Sequence, residues 1–187
     1  MRPPLLVAAL LASVISTGAV AEIPIHHDAT LKTRSRKERI AKFLLPAMRQ
    51  AGLRAWLVVT REGTIDPLAF DVGLENAVAR AAALFVDDGK ELKAVAVVAS
   101  YDVDGPRSSG LYAEVTPYGK EGLGPTLEKL LSKHTMSGKI GLDISYDTPI
   151  ADGLTAGTRD WLVTTLGPEF AARFTSAEAA ILSFRAK

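Results

Sequence analysis

Ile40-Ala-Lys-Phe-Leu-Leu-Pro-Ala-Met-Arg-Gln-Ala-Gly-Leu-Arg-Ala-Trp-Leu-Val-Val-Thr60 is the stretch on which the fold turns. Ile40, Phe43, Leu44, Ala47, Met48 and Ala51 recur at intervals of three and four, the spacing of one helical face. Gly52 stands where a helix ends in the left-handed conformation. The run from Trp56 to Thr60 is short, apolar and partly β-branched, which predicts a buried strand. Pro46 removes one backbone donor inside the helical run and predicts a kink or a broken start there. A helix, a glycine and a buried strand in that order open an α/β layer fold.

Towards the C-terminus the alternation of elements continues. Residues 61–73 carry Gly63, Asp66-Pro67 and Gly73 and predict a loop. Residues 81–86 and 92–99 are apolar runs joined through Asp88-Gly89, the signature of a β-hairpin. Residues 102–110 predict a second loop, and residues 111–116 a short strand. Leu123, Leu127, Leu130 and Leu131 place an amphipathic helix over 121–133. A strand is expected over 139–145. Asp147-Thr148-Pro149 predicts a helix start, with Ile150, Leu154 and Trp161 facing inward and Gly167-Pro168 ending it. Residues 170–174 predict a last strand. Thr175-Ser-Ala-Glu178 has the pattern of a capping box, so a final helix is expected through Ile181, Leu182 and Phe184.

Towards the N-terminus the pattern changes. Residues 1–21 combine Arg2, an apolar run over 5–15 and Ala19-Val20-Ala21, which predicts a secretory signal peptide cut after Ala21. The apolar run is too short to span a bilayer comfortably. Residues 22–35 are polar and predict an extended arm, with His26 and His27 solvated rather than metal-bound. The absence of cysteine rules out a disulfide framework in the expected exported protein, so stability must come from a core. At 187 residues, 48% hydrophobic and 23% charged, the chain suits one packed domain. Its net charge is +1, and loss of Arg2 with the signal peptide leaves 21 basic against 21 acidic residues. That balance gives no general electrostatic reason to bind nucleic acid or an anionic membrane.

The usual chemical signatures are missing. There is no G-x-x-x-x-G-K-[ST] phosphate loop, no complete G-x-G-x-x-G fingerprint, no G-x-S-x-G elbow and no H-E-x-x-H. His134, at a helix end, is expected to complement the helix dipole. Asp87-Asp88 and Asp102/Asp104 lie in turns, where carboxylates bond backbone. The basic cluster Lys32, Arg34, Arg36, Lys37 and Arg39 lacks interleaved aromatics and predicts a solvated tail and helix start. No catalytic, cofactor-binding or metal-ligating residue is assigned.

Five segments carry a resemblance: Pro46-Ala-Met-Arg-Gln-Ala-Gly-Leu-Arg-Ala-Trp-Leu-Val-Val-Thr-Arg61, Ala81-Ala-Ala-Leu-Phe-Val-Asp-Asp-Gly89, Lys139-Ile-Gly-Leu-Asp-Ile-Ser145, Phe174-Thr-Ser-Ala-Glu178 and Ser183-Phe-Arg-Ala-Lys187. In order and spacing they are similar to the N-terminal domain of the creatinase, prolidase and Xaa-Pro aminopeptidase family. The resemblance implies a mixed sheet flanked by helices, of ribonuclease-H-like topology, over residues 36–175. It implies that residues 176–187 begin a bridge to a catalytic "pita-bread" domain, where a pair of divalent metals would activate water. The sequence ends where that domain would begin, so this chain is expected to be non-catalytic and to hold no cofactor. The resemblance further implies a homo-oligomer, or docking of an absent C-terminal catalytic domain. The loop after the first strand would lean over a neighbour's active site. Arg61, Glu62 and Asp66 are its candidate contacts, with Arg61 meeting a substrate or partner carboxylate. Ile181, Leu182 and Phe184 are the candidate domain interface, and residues 176–187 are expected to fray when isolated.

Two other readings compete. One is a stand-alone exported module that binds peptides or an intact relative, which predicts a self-contained C-terminus. The other, an enzyme with an unrecognised site, ranks last because the usual constellations are missing. Export places the protein in the periplasm or outside the cell.

Overall fold

A computed structural model describes residues 29–63 and 65–187. The expected signal peptide, the first part of the arm and the His26-His27 pair lie outside the described residues. Six strands form one sheet: β1 (Leu53–Thr60), β2 (Ala81–Asp87), β3 (Leu92–Ala99), β4 (Glu114–Tyr118), β5 (Lys139–Leu142) and β6 (Phe174–Ser176). Their spatial order is β4-β3-β2-β1-β5-β6. The β1–β2 and β2–β3 pairs are antiparallel, whereas β3–β4, β1–β5 and β5–β6 are parallel. This is the mixed α/β sheet expected from the alternation of elements.

Both faces of the sheet are covered, which explains why β1 and β2 read as nearly unbroken apolar runs. Successive side chains point to opposite faces. Trp56 and Val58 pack on one side with Leu44, Met48, Ile181 and Phe184. Ala55, Leu57 and Val59 pack on the other with Leu127, Leu131, Leu162 and Leu166. The first layer is built from α1 (Ala29–Arg39), α2 (Leu45–Gln50), α3 (Ala69–Val72) and α7 (Glu178–Arg185). The second is built from α5 (Leu123–His134) and α6 (Ala156–Ala171). A short helix, α4 (Asp104–Ser109), precedes β4.

Several local expectations shift, each for a visible reason. Residues 29–35 are helical rather than extended, because α1 runs on into the core-facing segment. Pro46 does not break that segment: a π turn over Ile40–Leu44 precedes it, and the missing N–H falls in the first turn of α2. Gly52 stops α2 with φ of 66°. The 61–73 and 102–110 loops contain the single-turn helices α3 and α4. The strand expected over 111–116 begins at Glu114, with Leu111 turned into the core. β5 stops at Leu142 rather than at residue 145, and Pro149–Ala151 forms only a 3-10 turn. The real start of α6 is capped by Thr155, whose hydroxyl accepts from the Thr158 N–H at 3.2 Å. Gly167, with φ of 79°, interrupts α6, but Pro168 opens a further turn through Ala171, so β6 begins only at Phe174.

The expected capping box does not form. Thr175 lies within β6. The Ser176 hydroxyl accepts from the Glu178 N–H at 3.1 Å, and the Glu178 carboxylate accepts from the Thr148 hydroxyl. The sheet partner of Thr175 therefore decides its role, not its spacing to Glu178. Nor is α7 a loose end. Ile181 and Phe184 are each 1% exposed, inside this domain's own core, while Leu182 is 44% exposed. Of the three candidate interface residues, Leu182 alone offers an outward apolar surface. Arg185 on α7 and Arg39 on α1 both pair with Asp71 of α3, closing this layer. The expectation of a frayed 176–187 segment gives way to a packed helix.

Turn carboxylates behave as their positions suggest. Asp88 Oδ1 accepts from the Lys90 and Glu91 N–H groups at 2.8 Å each, and Asp102 Oδ2 accepts from Val78 and Ala79 at 3.1 and 3.2 Å. His134 lies in the last turn of α5, as expected, and burial, with Lys93 and Lys133 adding to it, lowers its pKa.

Candidate functional site

β5 ends beside Leu57 of its parallel neighbour β1, which runs on to Thr60. Asp66 lies in the loop after β1, and Asp143 directly follows β5. Each is 1% exposed. Asp66 is set by its own loop. Its Oδ1 accepts from the Leu68 N–H at 2.8 Å, an Asx turn that leads into α3. Its backbone N–H reaches the Thr60 hydroxyl at 3.4 Å. Asp143 Oδ1 accepts from the Trp56 indole N–H at 2.6 Å, and the Asp143 carbonyl accepts from the Leu154 N–H at 2.9 Å.

The two carboxyls are near enough for each to shift the other's proton affinity. A hydrogen bond between them would require a proton. With both groups ionised, Asp66 Oδ2 and Asp143 Oδ2 have no donor at all. Neither makes an ion pair among the described residues. Burial pushes the Asp66 carboxyl up to about 6, against the downward pull of the Leu68 N–H and of Asp143. Burial, followed by the Asp66 charge, raises Asp143 well above the ordinary aspartate range, with the Trp56 N–H opposing. Both shifts favour keeping a proton on the pair over two bare charges.

Gly153 makes this approach possible. A Cβ there would fall inside the Asp66 carboxyl, which Leu68 and Thr60 hold in place. Gly153→Ala is expected to lose about 1–3 kcal/mol as overpacking, read as a fall in melting temperature. Gly157→Ala is the control. A Cβ at Gly157 meets nothing within 4 Å, and the substitution is expected to be neutral or to stabilise by up to about 1 kcal/mol.

The three loop residues singled out from sequence do not form one constellation. Arg61 and Glu62 are exposed, whereas Asp66 is buried. The structure instead brings Arg61 towards Arg80, because the β1–β2 register ends at Thr60↔Ala81 and the two arginines flank that last pair. Arg80 stacks on the Trp161 ring, 4.1 Å from its centroid, and its Nε is buried without a partner. Burial, then the like charge of Arg61, lowers the Arg80 pKa. A cavity of about 300 Å³ lies alongside, between Arg80, Tyr118, Gly122 and Trp161. Among the described residues neither arginine has an ion-pair partner, and Glu121 lines the same cavity as Arg80. A larger groove of about 1450 Å³ runs between α1 and the α3–α4 side, but Arg61, Glu62, Asp66 and Asp143 do not line it.

Sequence reading missed Asp143, Arg80 and Trp56 as site members. One signal was available: Asp143 is a carboxylate that closes an apolar strand run. The residues do not fit a bridged metal pair. Among the described residues no group of three or more His, Cys, Asp or Glu side chains converges to hold a cation, and Asp66 and Asp143 are only two.

No family model matches the chain, and no curated protein matches it. Among solved structures it is similar to an Xaa-Pro dipeptidase from Bacillus anthracis, with 17% identity and a TM-score of 0.49, over 77% of this chain and 34% of that one. The chain thus spans about a third of the length of that protein. A likeness of this size does not extend to activity.

Proposed function

We propose that this chain is the non-catalytic N-terminal domain of an exported, Xaa-Pro aminopeptidase-like metallopeptidase, serving assembly and substrate gating in the full enzyme. The observation that carries the reading is the placement of the family-like segments. Residues 46–61 form most of α2 and all of β1, 81–89 form β2 and its turn, 139–145 contain β5, and 174–178 form β6 and the start of α7. The first two segments take the helix, strand and hairpin roles that the resemblance implies, whereas 139–145 is followed by a further strand, 174–178 forms that strand in place of a last turn, and 183–187 closes a packed helix. The metal pair and the hydrolytic step belong to the catalytic domain that such an enzyme would carry. Export rests on residues 1–21, and a periplasmic or secreted location follows from it. Among the described residues no helix is long and apolar enough to cross a membrane.

In this reading Arg61 provides the gating contact. It stands exposed at the end of β1, beside a second arginine, where a substrate or partner carboxylate would relieve the like-charge repulsion. Glu62 beside it would bias against acidic substrates. In a full-length protein carrying this domain, Arg61→Ala is expected to raise KM about tenfold or more with little change in kcat, from loss of a charged hydrogen bond. Steady-state kinetics and sedimentation measure the two effects. Unchanged KM together with unchanged oligomeric state would remove Arg61 from this role.

One observation favours the alternative, a stand-alone exported module that binds peptides or a protein. The burial of Ile181 and Phe184 makes the C-terminal helix self-contained. Titration calorimetry of the purified domain with Xaa-Pro peptides separates the two: binding by the isolated domain supports the module, and its absence supports the multidomain enzyme.

A further inference from the structure

We propose that Asp66 and Asp143 form a proton-operated latch, which holds the loop after β1 closed against the β5–α6 connection while one proton is shared between them and releases it when that proton is lost. The geometry supports this independently of any activity. Asp66 and Asp143 belong to two different connections. Asp66 organises its own side through the Leu68 N–H and the Thr60 hydroxyl. Asp143 organises the other through the Leu154 N–H and the Trp56 indole. Asp66 Oδ2 and Asp143 Oδ2 are each buried without a partner, and a proton between the two carboxyls would supply the missing donor. Two ionised carboxylates confined there repel in a site that water does not reach.

The surrounding charges do not relieve this. In the β5–α6 connection, Asp152 accepts from the Ser145 N–H, adding a carboxylate rather than a cation. From α7, Glu178 is held by the Thr148 hydroxyl. Arg39 of α1 and Arg185 of α7 are both committed to Asp71 of α3. β1 contributes the neutral Trp56 and Thr60. On the loop itself Arg61 and Glu62 are exposed.

The sign follows from linkage. Both aspartates bind their proton more tightly when folded than at the ordinary value of 3.8. The latch therefore contributes its full stability below about 4 and loses it as pH rises through about 6 and above, where the pair ionises. The consequence for function, that the same loop presents Arg61 differently in acidic and alkaline surroundings, rests on the reading of Arg61 given above. The latch itself does not, so its test uses no enzymatic readout.

The experiment is hydrogen exchange on the purified chain across pH, with the intrinsic pH dependence of exchange divided out, for the segments 61–75 and 143–155. Protection of both segments is expected to fall about tenfold or more between about pH 5 and pH 9, while β2 and β3 stay protected. Asp143→Asn keeps the Trp56 acceptor and supplies a permanent N–H towards Asp66. It is expected to hold both segments protected throughout and to raise the melting temperature at about pH 8 by roughly 3 °C or more. Carboxyl carbon NMR of the wild-type chain gives a second measurement that needs no variant, and at least one of the two aspartates is expected to titrate above about 6. The proposal is overturned if both titrate near the ordinary value or if loop protection is independent of pH. It is also overturned if closure depends on added Mg²⁺ or Ca²⁺ and is lost in chelator, which would make the bridging species a cation and not a proton.

Discussion

Phe184→Ala is expected to lower the stability of this domain by about 3–5 kcal/mol, the cost of deleting a fully buried aromatic ring. For a chain of this size that is a fall in melting temperature of roughly 6–20 °C. The ring is 1% exposed, sits 6.3 Å from Trp56 and lies under the Arg39 guanidinium at 5.0 Å, while the α7 backbone carbonyl of Phe184 accepts from Arg39 at 3.4 Å. Removing it empties the contact between α7, α2 and β1. Leu182→Ala, three residues from the end of the same helix and 44% exposed, is expected to cost less than about 1 kcal/mol. Thermal and urea unfolding of both variants decide whether α7 belongs to this domain. Equal, small losses would mean that α7 is a bridge awaiting a partner, as its place in the sequence first suggested.

The second large effect is at Trp56. Its ring stacks on Phe85 with centroids 5.4 Å apart, and its N–H donates to Asp143 Oδ1 at 2.6 Å. Trp56→Ala removes the packing, about 3–5 kcal/mol, and leaves a buried carboxyl oxygen without its donor, a further 1–3 kcal/mol or so. Against a total stability of roughly 5–15 kcal/mol, that removes a large share of what holds the chain folded. Trp56→Phe separates the two contributions: it retains most of the apolar contact and loses the hydrogen bond. Its destabilisation is expected to lie at about 2–3 kcal/mol and to be larger at alkaline than at acidic pH, because the indole N–H favours the ionised form of Asp143. Denaturation at two pH values checks this, and a cost that does not change with pH would show that the indole N–H matters only for packing.

Much of the architecture was readable from local chemistry. The helix stop at Gly52, the apolar runs of β1, β2 and β3, the Asp88-Gly89 turn and the leucine face of α5 all follow from periodicity and from turn residues acting over a few positions. Readings failed where a distant element outvoted a local pattern. Thr175 has the spacing of a cap, yet pairing of Gly141 with Thr175 draws it into β6. Pro149 has the look of a first helical residue, yet the cap that forms is at Thr155. Pro46 sits inside a helix that accommodates it through a π turn, since the packing of Leu44 and Met48 on one core face holds the segment together.

For the site the division is sharper. The sequence by itself determined that the chain is α/β, that the loop after β1 is rich in turn residues and that it carries Arg61, Glu62 and Asp66. It could not separate these three, because a loop's side chains acquire inside and outside only when the chain closes over them. The tertiary structure alone decided that Asp66 turns inward to meet Asp143, 77 positions later in the chain, while Arg61 turns outward beside Arg80. The physical reason is the parallel pairing of β1 with β5, which sets Asp143 beside the last residues of β1, together with the missing side chain of Gly153, which leaves room for the buried Asp66 carboxyl.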